Sequence, residues 1–235
     1  MIKKFTRLIR KNLIFARNGY FPTSVRHPEA EYFGTEYGGW PVITSQLDST
    51  SIVLSFGLGE DISFDLGIID RFGSTVHGFD PTPKAVQFIE SQDVPEQFHF
   101  HNFGLAGSTG VLSFNAPEHE GYASYSATHS SSSSNTQIDL PVKNIDEIFK
   151  RLQLDKVDVL KMDIEGSENE VIESMKDSIV RPAQILVEFH HRIHKTDFSR
   201  TRSAIEILES MGYRLFYISN LGDEFAFVHE SVQAA

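Results

Sequence analysis

The chain has 235 residues, 40% apolar and 11% aromatic, with 19 Phe and no Cys. Those values exclude a disordered chain, a disulfide scaffold and a thiolate metal site, and they suit one α/β-sized core. Net charge is −11, but seven of the 21 Lys+Arg and none of the 32 Asp+Glu fall in residues 1–28, so the remainder carries −18. A body that acidic repels nucleic acid, whose binding rests on phosphate neutralisation, and leaves a small molecule or neutral glycan as the expected partner.

Residues 1–17 have Ile2, Phe5, Leu8, Ile9, Leu13 and Ala16 at helical spacing between basic residues, which predicts an amphipathic helix within an extension over 1–45. Such a helix either lies on anionic lipid, a peripheral membrane contact, or packs on the domain or on a second subunit of a homo-oligomer. The packed reading is preferred, because one short window rarely proves membrane contact. No apolar run approaches the ~20 residues that cross a bilayer, and the basic start lacks the apolar stretch of a secretory signal. A cytoplasmic protein, with membrane association as the variant, is expected.

One domain is expected over 46–235. SIVLSFG from residue 51 reads as a buried strand, and EDISFDLGIIDRFG as a helix closing at Gly73. STVHGFD follows as a strand, PKAVQFIESQ as a helix with Pro83 at its start, and QFHFHNFGL as a third strand. VLSF (111–114) and QIDLPV (137–142) read as an added pair of short strands. Between them, residues 115–136 have no periodicity and a run of five Ser; they are either a surface insertion or a lid. A helix near 145–153, the strand VDVLKMD, the helix SENEVIESM, the strand QILVEFHH (184–191) and a helix near 201–211 come next. YRLFYIS and EFAFVH, joined at Asn220–Asp223, close the chain as a hairpin. Alternation of this kind predicts a mostly parallel, doubly wound seven-stranded sheet with a C-terminal antiparallel hairpin.

Ligands of open α/β sheets bind outside the carboxyl ends of the strands. Gly57-Leu58-Gly59-Glu60-Asp61 sits at such an end, where absent side chains let backbone N–H groups approach a ligand. A pyrophosphate fingerprint needs Gly at position 62, occupied here by Ile62. Asp80, 21 residues past Gly59 at the end of the next strand, is placed to accept a ribose diol, and Asn102 ends the strand after that. The candidate cofactor residues are therefore Gly57, Gly59, Glu60, Asp61, Asp80 and Asn102.

Asp163 and Glu165, like Glu188 and His190, are two residues apart and would share one face if their strands persist. Crowded carboxylates there could supply a general base, with Asp163, Glu165 and His190 as the catalytic candidates. They could equally hold Mg²⁺ or another divalent ion through Asp163 and Glu188. Lys161, a charge in an apolar run, is expected to pair with Asp163. His191 and His194 read as solvent-facing or helix-capping, and His99 and His101 as a half-exposed strand face.

LKMDIEGSENEVI, with NIDEIF upstream and LVEFHH downstream, resembles the FkbM-type methyltransferase family, SFGLGEDISFD matching its cofactor loop and HGFDPTP its ribose turn. The likeness runs from about residue 50 to 220. It implies a class I, Rossmann-like fold, S-adenosyl-L-methionine as cofactor, and methylation of a hydroxyl on a sugar, glycan or other small metabolite. Ser55 stands where such enzymes usually carry an acid, and Asp61 where a third Gly is common. The chain lacks the Asn/Asp-Pro-Pro-Tyr string of amino-group methyltransferases, so oxygen is the expected acceptor. A non-catalytic binding protein is the rival reading, favoured by Ser55 and opposed by the retained carboxylates. A nicotinamide oxidoreductase comes third, opposed by Ile62.

Overall fold

The computed structural model describes residues 11–13, 15–20, 22–25, 27–115, 137–192 and 198–232. Two short strands come first, β1 (Ala30–Phe33) and β2 (Trp40–Ile43), paired antiparallel. The main run then alternates: β3 (Ile52–Phe56), α1 (Ser63–Phe72), β4 (Thr75–Phe79), α2 (Pro83–Glu90) and β5 (Phe98–His101). After three strands of a side sheet come α3 (Ile145–Arg151), β9 (Val159–Met162), α4 (Glu168–Ser174) and β10 (Gln184–Glu188). The chain closes with α5 (Phe198–Ser210), β11 (Tyr213–Ile218) and β12 (Glu224–His229).

Seven strands form one sheet in the order β11-β12-β10-β9-β3-β4-β5. All neighbours are parallel except β12, which runs antiparallel to both β10 and β11. The mostly parallel sheet with its terminal hairpin is the architecture expected from the alternation. The apolar strands β3 and β9 lie side by side at its centre, covered on both faces, as continuous apolar runs require. Leu54, Phe56, Leu160 and Met162 face α3, α4 and α5; Val53 and Val159 face α1 and α2. Full burial of each such side chain contributes roughly 1.5–3 kcal/mol. Local signals set the helix ends. Thr82 caps α2 by accepting from the Ala85 N–H with Pro83 at the first turn, Asn144 caps α3 through the Glu147 N–H, and Gly73 closes α1 at φ +71°.

Two boundaries differ from expectation. QFHFHNFGL is not one strand: β5 stops at His101 and the chain turns into β6 (Gly104–Leu105), which joins β8 (Gln137–Lys143) and β7 (Gly110–Asn115) in the side sheet. The expected β7–β8 pair is present and antiparallel; the Ser-rich stretch between them lies outside the described residues except for Asn115. Residues 30–43, assigned by pattern to an N-terminal extension, pack into the same core. Trp40, Val42 and Ile43 are buried with β3 and α1, and the buried Gln184 amide exchanges two hydrogen bonds with the Ile43 backbone, at 2.7 and 3.0 Å. Of the N-terminal basic segment, residues 11–13 and 15–17 are helical, and Phe15 is buried against Phe198, ring centroids 5.6 Å apart. The described part of that helix therefore rests on the domain. Among the described residues, no helix is long and apolar enough to cross a membrane.

Candidate active site

A cavity of about 840 Å³ opens at the carboxyl ends of β3, β4, β9 and β10, within the size range of small-molecule sites. Its two ends are built differently. At one end Gly57 and Gly59 turn the chain at φ +76° and +53°. A side chain on Gly57 would collide with the Asp163 carbonyl, whereas Gly59 faces open space. Gly57 is thus required by the neighbouring strand's turn, and Gly59 is the position where a ligand can approach backbone. Asp80, buried, holds the turn: it accepts the Gly59 N–H at 3.0 Å, and the Thr82 N–H and hydroxyl at 2.9 and 2.6 Å. Both Thr82 bonds fall on Oδ1, so Oδ2, which accepts only the Gly59 N–H, is the oxygen that retains a lone pair.

Lys161 lies under this turn. Its Nζ donates to the Gly57 and Phe56 carbonyls at 2.9 and 3.3 Å; it is not within ion-pair distance of Asp163 as the shared-face expectation had it. Asp65 on α1, 1% exposed, shares the region, and burial pushes its carboxyl up to about 6 against the pull of the Lys161 charge. Glu60 pairs with Lys84 at 2.7 Å on the rim. Asp61 accepts from the Thr35 hydroxyl at 2.6 Å and the Ser63 N–H at 2.8 Å, tying the β1–β2 loop to the start of α1. Burial opposes its charge, but these bonds hold it below the usual carboxylate range.

At the other end, Asp163, Glu165 and His190 each offer a ligand atom within 4.8 Å of the others. Strand periodicity does not bring them together. β9 stops at Met162 and Glu165 adopts φ +53°, while β10 stops at Glu188 and His190 enters from a short 3-10 turn. The Phe189 N–H still bonds the Asp223 carbonyl, one step past the Glu188–Glu224 pair, before the chain turns. His190 Nε2 lies 3.5 Å from Asp163 and 3.3 Å from Glu165; its Nδ1 lies 2.7 Å from Glu168. Glu168, 1% exposed, also accepts the Gly166 N–H at 2.9 Å. Burial disfavours the imidazolium, but the bond and charge of Glu168, then Glu165 and Asp163, push His190 up to about 10. That favours the imidazolium at neutral pH, which suits His190 to assist Asp163 and not to take a proton itself.

The acids respond oppositely. Burial raises the Asp163 carboxyl above its ordinary range, against the pull of Lys161 and His190. Burial and the Asp163 charge push Glu188 up to about 8, and burial with Asp223 pushes Glu224 up to about 7. Glu188 lines the cavity but lies outside the close Asp163–Glu165–His190 group. Asn102 is exposed and does not line the cavity; Gly104 and Leu105 do, because the strand breaks there. His191 is buried beside Thr201 and Phe198, not solvent-facing, and His194 lies outside the described residues. Pattern reading missed Glu36, Tyr37, Trp40, Glu168 and Glu224. Only the run Gly34…Gly38-Gly39 before Trp40 and the acid three residues past Glu165 were available as signals.

A seven-stranded sheet of this order, with a glycine turn and a buried acid on the next strand over a carboxylate-lined cleft, defines a Rossmann-like methyltransferase fold. The sequence profile of the methyltransferase FkbM domain matches residues 23–215, beginning well before the residue near 50 where the resemblance is visible by eye. The chain belongs to the FkbM methyltransferase family. It is 24% identical over 176 residues, 70% of this chain and 71% of the relative, to the hexuronic acid methyltransferase AglP of Haloferax volcanii. Among solved structures, methyltransferase FkbM from Methylobacillus flagellatus is matched at 16% identity and TM-score 0.49; the match covers 80% of this chain and 46% of that longer one. Aeropyrum pernix fibrillarin, solved with bound S-adenosyl-L-methionine, is matched at 8% identity and TM-score 0.44 over 86% and 83% of the chains.

Proposed function

We propose that the protein is an S-adenosylmethionine-dependent O-methyltransferase acting on a hydroxyl of a sugar, glycan or similar small metabolite. The observation that carries this reading is the juxtaposition, in one cavity, of an open glycine turn held by Asp80 with the Asp163–Glu165–His190 cluster. The cofactor supplies an electrophilic methyl group on a sulfonium. The residues present fit it: Gly59 leaves room for close approach, and Asp80 Oδ2 keeps a lone pair for a ribose hydroxyl. On the acceptor side, Asp163 retains 33% side-chain exposure and is the carboxylate that can receive the hydroxyl proton. His190, held charged by Glu168, keeps Asp163 and Glu165 ionised and in place. A carboxylate of raised pKa is better matched to this task than an ordinary one. Orientation of the hydroxyl against the methyl carbon supplies much of the remaining rate.

A second reading has its own support. Three ligand atoms within 4.8 Å, with the imidazole's other nitrogen on a buried carboxylate, form the donor set of a divalent cation site with an outer carboxylate. Asp163, Glu165 and His190 would hold Mg²⁺ or Mn²⁺, which would acidify a bound hydroxyl; His190 would release its proton on binding. Calorimetry with S-adenosylhomocysteine and NAD, then methyl transfer with and without chelator, tests both. Binding of S-adenosylhomocysteine with activity indifferent to chelator supports the base. Chelator-sensitive activity restored by Mg²⁺ supports the metal, and binding of NAD alone overturns both.

A further inference from the structure

The acceptor half of the cavity has a chemical bias that the methyltransferase reading does not itself require. Eight of the residues lining the cavity are carboxylates; Glu60, Asp61 and Asp80 belong to the glycine-turn end, leaving Glu36, Asp163, Glu165, Glu188 and Glu224 for the rest. Against them stand Lys161 and His190, and no Arg is among the described lining residues. Both cations are already engaged. Lys161 is 4% exposed and donates to two backbone carbonyls beneath the glycine turn, at the cofactor end; His190 is enclosed by Asp163, Glu165 and Glu168. Recognition of a sugar acid calls for the opposite arrangement, a guanidinium fork or free ammonium facing its carboxylate.

We infer that the acceptor is a polyhydroxylated molecule without an acid group, a neutral or amine-bearing sugar and not a uronic acid. The inference rests on the proposed methyltransferase reading and departs from the activity named for the 24%-identical relative. Two features of the wall fit such a ligand. Tyr37, 83% exposed, stands at the cavity edge beside the buried Trp40, so the β1–β2 loop presents an aromatic surface to the apolar face of a sugar or to an ammonium group. Glu188 and Glu224 both line the cavity and present carboxylate oxygens that can accept from the hydroxyls or the ammonium of such a ligand. An incoming carboxylate would meet like charge in a partly desolvated site, and an ammonium would relieve it.

The test is methyl transfer from labelled S-adenosylmethionine by the full chain to free hexoses, hexosamines and hexuronic acids, matched in the gluco, galacto and manno configurations. It is run both in chelator and in Mg²⁺, since a bound cation would itself attract a carboxylate. A neutral or amino sugar should exceed the uronic acid of the same configuration by about 100-fold in kcat/KM. A uronic acid turned over as well as, or better than, its neutral counterpart in either condition overturns the inference while leaving methyl transfer standing. Transfer to none of the sugars by protein that binds S-adenosylhomocysteine overturns the sugar reading itself, and this inference with it. Glu36→Lys and Glu224→Lys should each shift the preference toward the uronic acid. If both variants fold, by circular dichroism, and neither moves that ratio, the carboxylate wall does not set selectivity and the inference fails.

Discussion

The two ends of the cavity are built on opposite electrostatic principles. At the glycine turn, Asp80 accepts three hydrogen bonds and Lys161 holds two carbonyls. At the acceptor end, carboxylates crowd one another, and Asp163, Glu188 and Glu224 all titrate above their ordinary range. One end is thus part of what holds the fold together, while the other is maintained against repulsion by the surrounding structure. Groups of the first kind should lower stability when removed. Groups of the second should raise it, or leave it unchanged, while function suffers.

The sharpest way to break this contrast is Asp163→Asn. Methyl transfer should fall by the roughly 10²–10⁴-fold typical of a lost general base, while thermal denaturation shows a melting temperature no lower than the parent's. A stable variant with undiminished turnover would remove Asp163 from the chemistry. Asp80→Ala should behave differently. Loss of charge-assisted bonds worth about 1.5–3 kcal/mol each should weaken S-adenosylhomocysteine binding by about 10–100-fold in calorimetry and also lower the melting temperature. A loss of affinity without a loss of stability would show that Asp80 serves the ligand alone.

The smallest effect belongs to Glu188. Its carboxyl is protonated to about pH 8 in the folded protein and to its ordinary, lower pKa when unfolded, so the unfolded state releases the proton first as pH rises. Stability is therefore lost as pH climbs from the unfolded pKa toward about 8 and is constant above it. Glu188→Gln removes that loss. It should melt above the parent at pH 8.5, and the difference should vanish at pH 4. A variant that melts lower at pH 8.5 would place Glu188 among the satisfied groups instead.

Local periodicity and punctuation control one part of this protein, and that part can be read from the amino acids alone. The strand–helix alternation from residue 51, the terminal hairpin, the glycine turn and the acid 21 residues beyond Gly59 were all legible, because apolar spacing and turn residues report directly on backbone conformation. The side-sheet pair 111–114 and 137–142 was legible for the same reason. Tertiary structure decided the rest. Asp163 and His190 meet because two strands end early and their chains turn inward, which a period-2 argument carried past the strand ends does not describe. Lys161 finds backbone carbonyls where the shared face suggested Asp163, since the neighbouring strand's turn lies nearer than its own strand's next acid. Glu168 is one polar residue among several on its helix until the fold buries it against an imidazole. β2 joins the core through its buried Trp40, Val42 and Ile43 and through the Gln184 amide 141 residues away. In each case the deciding interaction joins segments distant in sequence, and local pattern holds no information about which partner a buried polar group will find.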